Sequence, residues 1–151
     1  MGYTEVFLRI VATADVVLFS GEHILFVKRK YPPYQGELAL PGGHVDEGEE
    51  PLDSAIRELE EETGMKIAND NRLFDVGIFD KANRDPRHKH VISYAFGYIG
   101  PDSEEFRAKA VAKSDAKLVA WVPIHDAIDI TLAFDHSDII QKALYENAEG
   151  R

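Results

Sequence analysis

From Pro51 to Thr63 the chain spells out a helix whose start, buried face and stop are all marked. Pro51 suits a first turn, where its missing N–H would have had no partner anyway. Gly64 is a natural stop, because only glycine enters the left-handed region at little cost. Leu52, Ala55, Ile56, Leu59 and Thr63 recur at helical spacing and form one mostly apolar stripe. Such a stripe must lie on another element, and the flanking segments offer strands. Val6–Phe19 and His23–Lys30 are rich in Val, Ile, Leu and Phe, and Ser20-Gly21-Glu22 between them makes a turn, so they read as a hairpin. Tyr31–Gly36 is a loop, since two prolines exclude a regular ladder. Leu38–Leu40 is a short extended piece. Leu73–Lys81, Val91–Ile99 and Lys117–Val122 read as further strands, and Pro123–Ile128 as a short helical turn. Asp135 is placed to cap a last helix running to about Asn147, with Ile139, Ile140, Ala143 and Leu144 inward. Helices mixed with hairpins predict an α/β sandwich around a mixed β-sheet rather than a doubly wound parallel one.

The 151 residues match one ordinary domain, so a single domain over residues 1–151 is expected. The absence of cysteine excludes disulfides, thiol nucleophiles and Cys-ligated zinc. No apolar run approaches the roughly 20 residues of a membrane span. Glu5, Arg9 and Asp15 make the start a poor signal peptide, so cytoplasmic is the default expectation. Seventeen basic residues against 27 acidic ones give a net charge of −10, which disfavours non-specific binding to a nucleic-acid backbone. The excess is uneven: Gly43–Met65 holds nine Asp or Glu and one Arg. An acidic run is either a solvated helix face or a cation site, and spacing has to decide between them.

Glu58, Glu61 and Glu62 stand at i, i+3 and i+4, so a helix projects all three from one side, next to the apolar stripe. Like charges this close repel, and a hard divalent cation relieves that cost. Mg²⁺ prefers carboxylate oxygen and keeps waters that substrate phosphates can replace. Pro41-Gly42-Gly43 lets the backbone approach closely, and the Gly42 carbonyl is a candidate further ligand. Arg57 is placed to pair with Glu49 and pin the preceding loop to the helix.

Gly43, five residues, Glu49, seven residues, then Arg57-Glu58-Leu59-Glu60-Glu61-Glu62-Thr63-Gly64-Met65 is similar at every defined position to the box of the Nudix family. Leu38–Gly42 and Trp121-Val122-Pro123 also resemble that family. The resemblance implies a Nudix-type α/β/α sandwich, with Glu58, Glu61 and Glu62 as metal ligands. It also implies Mg²⁺-dependent hydrolysis of a nucleoside diphosphate linked to a second group, with Mn²⁺ as an alternative ion. A metal-activated water attacks phosphorus and a carboxylate takes its proton. Glu58 is the first choice for that base within the box. Asp115, just before the Lys117–Val122 strand, is the first loop candidate, and Glu104 and Glu105 are the second.

Substrate hints lie elsewhere. Arg84 and Arg87 form a basic island between two strands, suited to a diphosphate or to a solvated hairpin tip. Arg84–Arg87 and Leu132–His136 resemble segments of ADP-ribose pyrophosphatases and of related NAD regulators. Tyr31 and Tyr34 bracket the prolines and either stack on a base or pack against them. Lys28 and Arg29 lie near enough to meet phosphate. Tyr94 and Phe96 alternate in a strand, with core packing expected for at least one. His44 sits where the box is permissive, and His88, His90, His125 and His136 show no zinc spacing. The reading is a Nudix pyrophosphohydrolase acting on ADP-ribose, giving AMP and ribose 5-phosphate. The rivals are hydrolysis of another nucleotide (a sugar nucleotide, a dinucleotide or an oxidised nucleoside triphosphate) and a non-catalytic ADP-ribose sensor. The expected partner is a small nucleotide, with neither nucleic acid nor membrane, and a homodimer is compatible with all of this.

Overall fold

A computed structural model describes residues 10–87 and 90–150. The expected start of the first strand, Val6–Arg9, and His88 lie outside the described residues. Strand β1 spans Ile10–Ser20 and turns at Gly21 into β2, His23–Arg29. The two pair only beside the turn, at Phe19–Ile24 and Ser20–His23, and then diverge. The next segment fills the gap between them. Strand β3, Leu38–Ala39, pairs with β2, and β4, Gly42–His44, pairs with β1. The sequence had suggested the first piece and not the second. Helix α1, Pro51–Thr63, has the expected bounds and ends on Gly64 at φ 75°.

Strand β5, Leu73–Phe79, and β6, His90–Gly100, form an antiparallel pair. Strand β6 lies parallel to β1 along its whole length, from Ile10–His90 to Ser20–Gly100. Next comes α2, Glu104–Arg107, a single turn that the sequence reading did not foresee. Ser103 caps it by accepting the Phe106 N–H at 3.0 Å. Strand β7, Ala116–Pro123, pairs antiparallel with β2. Helices α3, Ile124–Ala127, and α4, His136–Gly150, follow, α4 running three residues beyond the expected end. The sheet is therefore mixed: one parallel ladder among antiparallel ones.

From Ala14 to Ser20 strand β1 is buried on both faces, which is why this stretch is apolar apart from Asp15 and Ser20. Ala14, Val16 and Leu18 face α1 and pack with Ala55 and Leu59. Val17 and Phe19 face the other way and pack with Phe26 of β2, Val76 of β5, and Ile139, Ile140 and Ala143 of α4. One helix on each face makes the expected α/β/α sandwich. No helix among the described residues is long and apolar enough to cross a membrane.

Candidate active site

Where β1 and β2 diverge, a cavity of about 370 Å³ opens between β4, the start of α1's acidic turn, the β5–β6 loop and the start of α4. That is within the range of small-molecule sites. Its two walls carry opposite charge.

The acidic wall comes from α1. Glu58 and Glu62 line the cavity. Glu62 Oε1 accepts the Gly42 N–H at 2.9 Å. Glu58 lies against Gly43, where an added methyl group would overlap its carboxylate oxygens. Gly42 is equally constrained, since a methyl there would run into the Ala14 carbonyl and Asp15 Oδ1. The two glycines thus let β4 sit flush on β1 while the glutamates reach over it. Burial, helped by the neighbouring charges of Glu58, Asp15 and Asp115, pushes the Glu62 carboxyl up to about 8 against the pull of the Gly42 N–H. Burial also raises Glu58, opposed by Arg57.

Arg57 organises this wall from outside. It grips Glu49 with two bonds, Nε to Oε2 at 2.8 Å and a terminal nitrogen to Oε1 at 3.0 Å, as the spacing predicts. That grip holds the Glu49 carboxyl down at about 2. Arg57 also donates to Glu58 at 2.7 Å and to Glu61 at 3.3 Å, and to the His44 carbonyl. Glu61 is therefore drawn towards Arg57, half-exposed, and does not line the cavity. Among the described residues no three Asp, Glu or His side chains converge as a ready ligand set. The residues nevertheless suit a hard divalent cation. The donors are all oxygen, Glu58 and Glu62 repel each other across the cavity wall, and glycines leave the space beside them open. Asp115 stands exposed on the rim of the same cavity. Glu104 and Glu105, in α2, do not line it.

The opposite wall is cationic and aromatic. Phe134 enters the cavity from a left-handed backbone (φ 54°). The Arg29 guanidinium lies 4.9 Å and that of Arg87 5.7 Å from its ring centroid. Arg29 is further fixed by donating to the Pro33 carbonyl at 2.6 Å. Its pKa is lowered by burial and by the nearby Arg87. Arg87 is held by Asp85 through bonds at 3.1 and 2.8 Å. Lys30 and Tyr31 complete the mouth.

Two expected contributors sit differently. Arg84 touches the cavity, but its side chain is only 4% exposed and doubly bonded to Asp135. Its charge is thus committed to tying the β5–β6 loop to the start of α4, while Arg87 and residues 81–83 of the same loop remain exposed. The Asp135 carboxylate, expected as a helix cap, faces Arg84 instead. Tyr34 does not line the cavity; its ring meets Phe134 edge-on at 4.8 Å and supports it from behind. Phe134, Asp15 and His136, none of them among the expected contributors, also line the cavity. Asp15 did carry a signal: a carboxylate inside a run buried on both faces needs a partner or a ligand.

A family model described as NUDIX domain matches residues 9–143. The chain is 35% identical over 139 residues to an ADP-ribose pyrophosphatase of Methanocaldococcus jannaschii, covering 91% of this chain and 75% of that one. It is 31% identical over 137 residues to the ADPR responsive transcriptional repressor NtrR of Acinetobacter baylyi, covering 87% of this chain and 52% of the repressor. Among solved structures, it superposes with a TM-score of 0.78 and 29% identity on a bifunctional NMN adenylyltransferase/ADP ribose pyrophosphatase of Francisella tularensis complexed with AMP and a Mn ion. That match covers 93% of this chain and 43% of the other. The chain thus spans three quarters of the first relative and about half or less of the other two.

Proposed function

The chain belongs to the Nudix family as a pyrophosphohydrolase, and from that premise we propose that it hydrolyses ADP-ribose to AMP and ribose 5-phosphate with Mg²⁺, Mn²⁺ substituting. The observation that carries this reading is the two-signed cavity. Glu58 and Glu62 supply an anionic wall for a cation, and Arg29 and Arg87, seated on Phe134, supply a cationic wall for phosphate. The pyrophosphatase relative and the AMP- and Mn-containing neighbour support the choice of substrate and ion.

Glu58 and Glu62 would hold the ion, with Glu61 joining them once the ion takes over part of Arg57's neutralising role. A bound divalent cation polarises phosphoryl oxygens and makes a coordinated water more acidic. The chain's own groups do the rest. Arg29 and Arg87 offer paired donors to the phosphoryl oxygens that face away from the acidic wall. Arg57 keeps Glu58 oriented and ties the box loop to α1 through Glu49. Two carboxylates are placed to take the proton of the attacking water: Glu58 on the wall and Asp115 on the rim. Glu58→Gln and Asp115→Asn separate them, because the true base is the one whose removal abolishes the acid limb of the rate–pH profile.

The test is a substrate panel in Mg²⁺, following AMP and ribose 5-phosphate release. Fast turnover of a nucleoside triphosphate with ADP-ribose left intact would refute the substrate. The repressor relative favours a second reading, a sensor. Tight ADP-ribose binding without turnover of any panel member is the result that selects it.

A further inference from the structure

The floor of the cavity holds two polar groups that neither wall uses. Asp15 lies within the apolar run of β1, 6% exposed, and His136 opens α4, 5% exposed. Both line the cavity. Each is pinned from one side only. The Ser93 hydroxyl donates to Asp15 Oδ2. The Leu40 N–H donates to His136 Nδ1 at 2.9 Å. A ring nitrogen that accepts carries no proton, so the imidazole proton sits on Nε2. Burial lowers the pKa of His136 and keeps the ring neutral. Nε2 is 3.8 Å from Asp15 Oδ1, beyond direct hydrogen-bond reach.

A donor and an acceptor therefore face the same cavity space with a gap between them, and a ligand that covers them has to supply both partners. An alcohol fits: its oxygen accepts from Nε2–H while its proton goes to Oδ1. A carbonyl or ether oxygen leaves the carboxylate without a donor. An ammonium leaves the imidazole N–H without an acceptor. A phosphate is repelled by Asp15. The pair is also held rigid, since Gly42 passes so close to Asp15 Oδ1 that a side chain there would collide with it. Arg84 and Asp135 fix the start of α4.

We propose that Asp15 and His136 form a hydroxyl-reading pair that recognises one sugar hydroxyl of the substrate. The inference rests on the proposed substrate only for the source of that hydroxyl, a ribose. A site built to bond a hydroxyl rejects the analogue that lacks it, because its own buried groups are then left unpaired.

The experiment is calorimetric titration, in EDTA so that binding is read apart from turnover, with ADP-ribose and with analogues in which each ribose hydroxyl in turn is replaced by hydrogen. For the unmodified protein, removal of one hydroxyl is expected to weaken binding at least about tenfold. Asp15→Asn should weaken ADP-ribose binding by a similar factor and lose sensitivity to that hydroxyl. His136→Gln serves as second variant if Asp15→Asn shows no cooperative unfolding. The proposal is overturned if ADP-ribose does not bind, if every deoxy analogue binds like the parent, or if both variants weaken all ligands equally. Hydroxyl discrimination without hydrolysis in Mg²⁺ sinks the proposed reaction and leaves the pair standing; hydrolysis without discrimination does the reverse.

Discussion

Replacing Glu62 by Gln should strengthen the fold while abolishing turnover, and the gain should depend on pH in a defined way. Burial raises the Glu62 carboxyl from its ordinary 4.5 to about 8. A raised folded pKa means that the protonated form favours the fold. That contribution is complete below pH 4.5 and is lost as pH rises through about 8. The glutamine cannot titrate, and its carbonyl oxygen can still accept the Gly42 N–H. The full gap corresponds to about 5 kcal/mol above pH 9 and about 3 kcal/mol at pH 7. Water at the cavity mouth screens part of it, so about 2 kcal/mol at pH 7 is the working figure. Urea midpoints in EDTA at pH 5, 7 and 9 measure it. The variant should match the unmodified protein at pH 5 and lead by a widening margin at pH 7 and 9. At pH 7 saturating Mg²⁺ should reverse the order, since an ion at about 100 times its Kd stabilises the unmodified protein by about 2.7 kcal/mol. A margin that is flat across pH, or an unmodified protein that is more stable at pH 9 in EDTA, would show that Glu62 is not a buried carboxylate waiting for a cation.

Other outcomes follow from the same geometry. Gly43→Ala puts a methyl group into the space of the Glu58 carboxylate, whose flexible end can move aside. Activity should fall at least about tenfold with little change in Tm, a split that parallel melting and rate measurements would reveal. Arg57→Lys keeps the charge but loses the two-bond grip on Glu49 and the reach to Glu58 and Glu61. Titrating Mg²⁺ against rate should show about a 10- to 100-fold loss in metal affinity or activity. Phe134→Ala removes the seat of Arg29 and Arg87, and steady-state kinetics should show KM raised by about tenfold with kcat less affected. Asp135→Ala strands the buried Arg84 charge and should cost about 3 kcal/mol in a urea titration.

Much of the acidic wall was legible because it is local. The bounds of α1, its apolar stripe, its Gly64 stop and the common side of Glu58, Glu61 and Glu62 all follow from 3.6 residues per turn. The Arg57–Glu49 pair needed only the short loop before the helix. Even here the three carboxylates are not gathered in one set, because Arg57 competes for Glu61. Tyr34 and Arg84 were harder. An aromatic beside prolines and an arginine in a loop look available for ligand, yet Phe134 and Asp135, from far along the chain, meet them. Glu104 and Glu105 were plausible as loop acids only while the turn of α2 and its position were unknown.

By itself the sequence determined the helix that bears the metal-ligating candidates, most of the strands around it and the family to which the chain belongs, since these are matters of periodicity and spacing along a few tens of residues. Only the tertiary structure decided what faces those carboxylates. The parallel ladder of β1 with β6 brings Ser93 to Asp15, and the insertion of β3 and β4 between β1 and β2 brings Leu40 to His136 across 96 residues. Such meetings depend on strand register and on the divergence of a hairpin. Those are set by how two apolar faces pack at once, a property of the assembled core that no short stretch of residues carries.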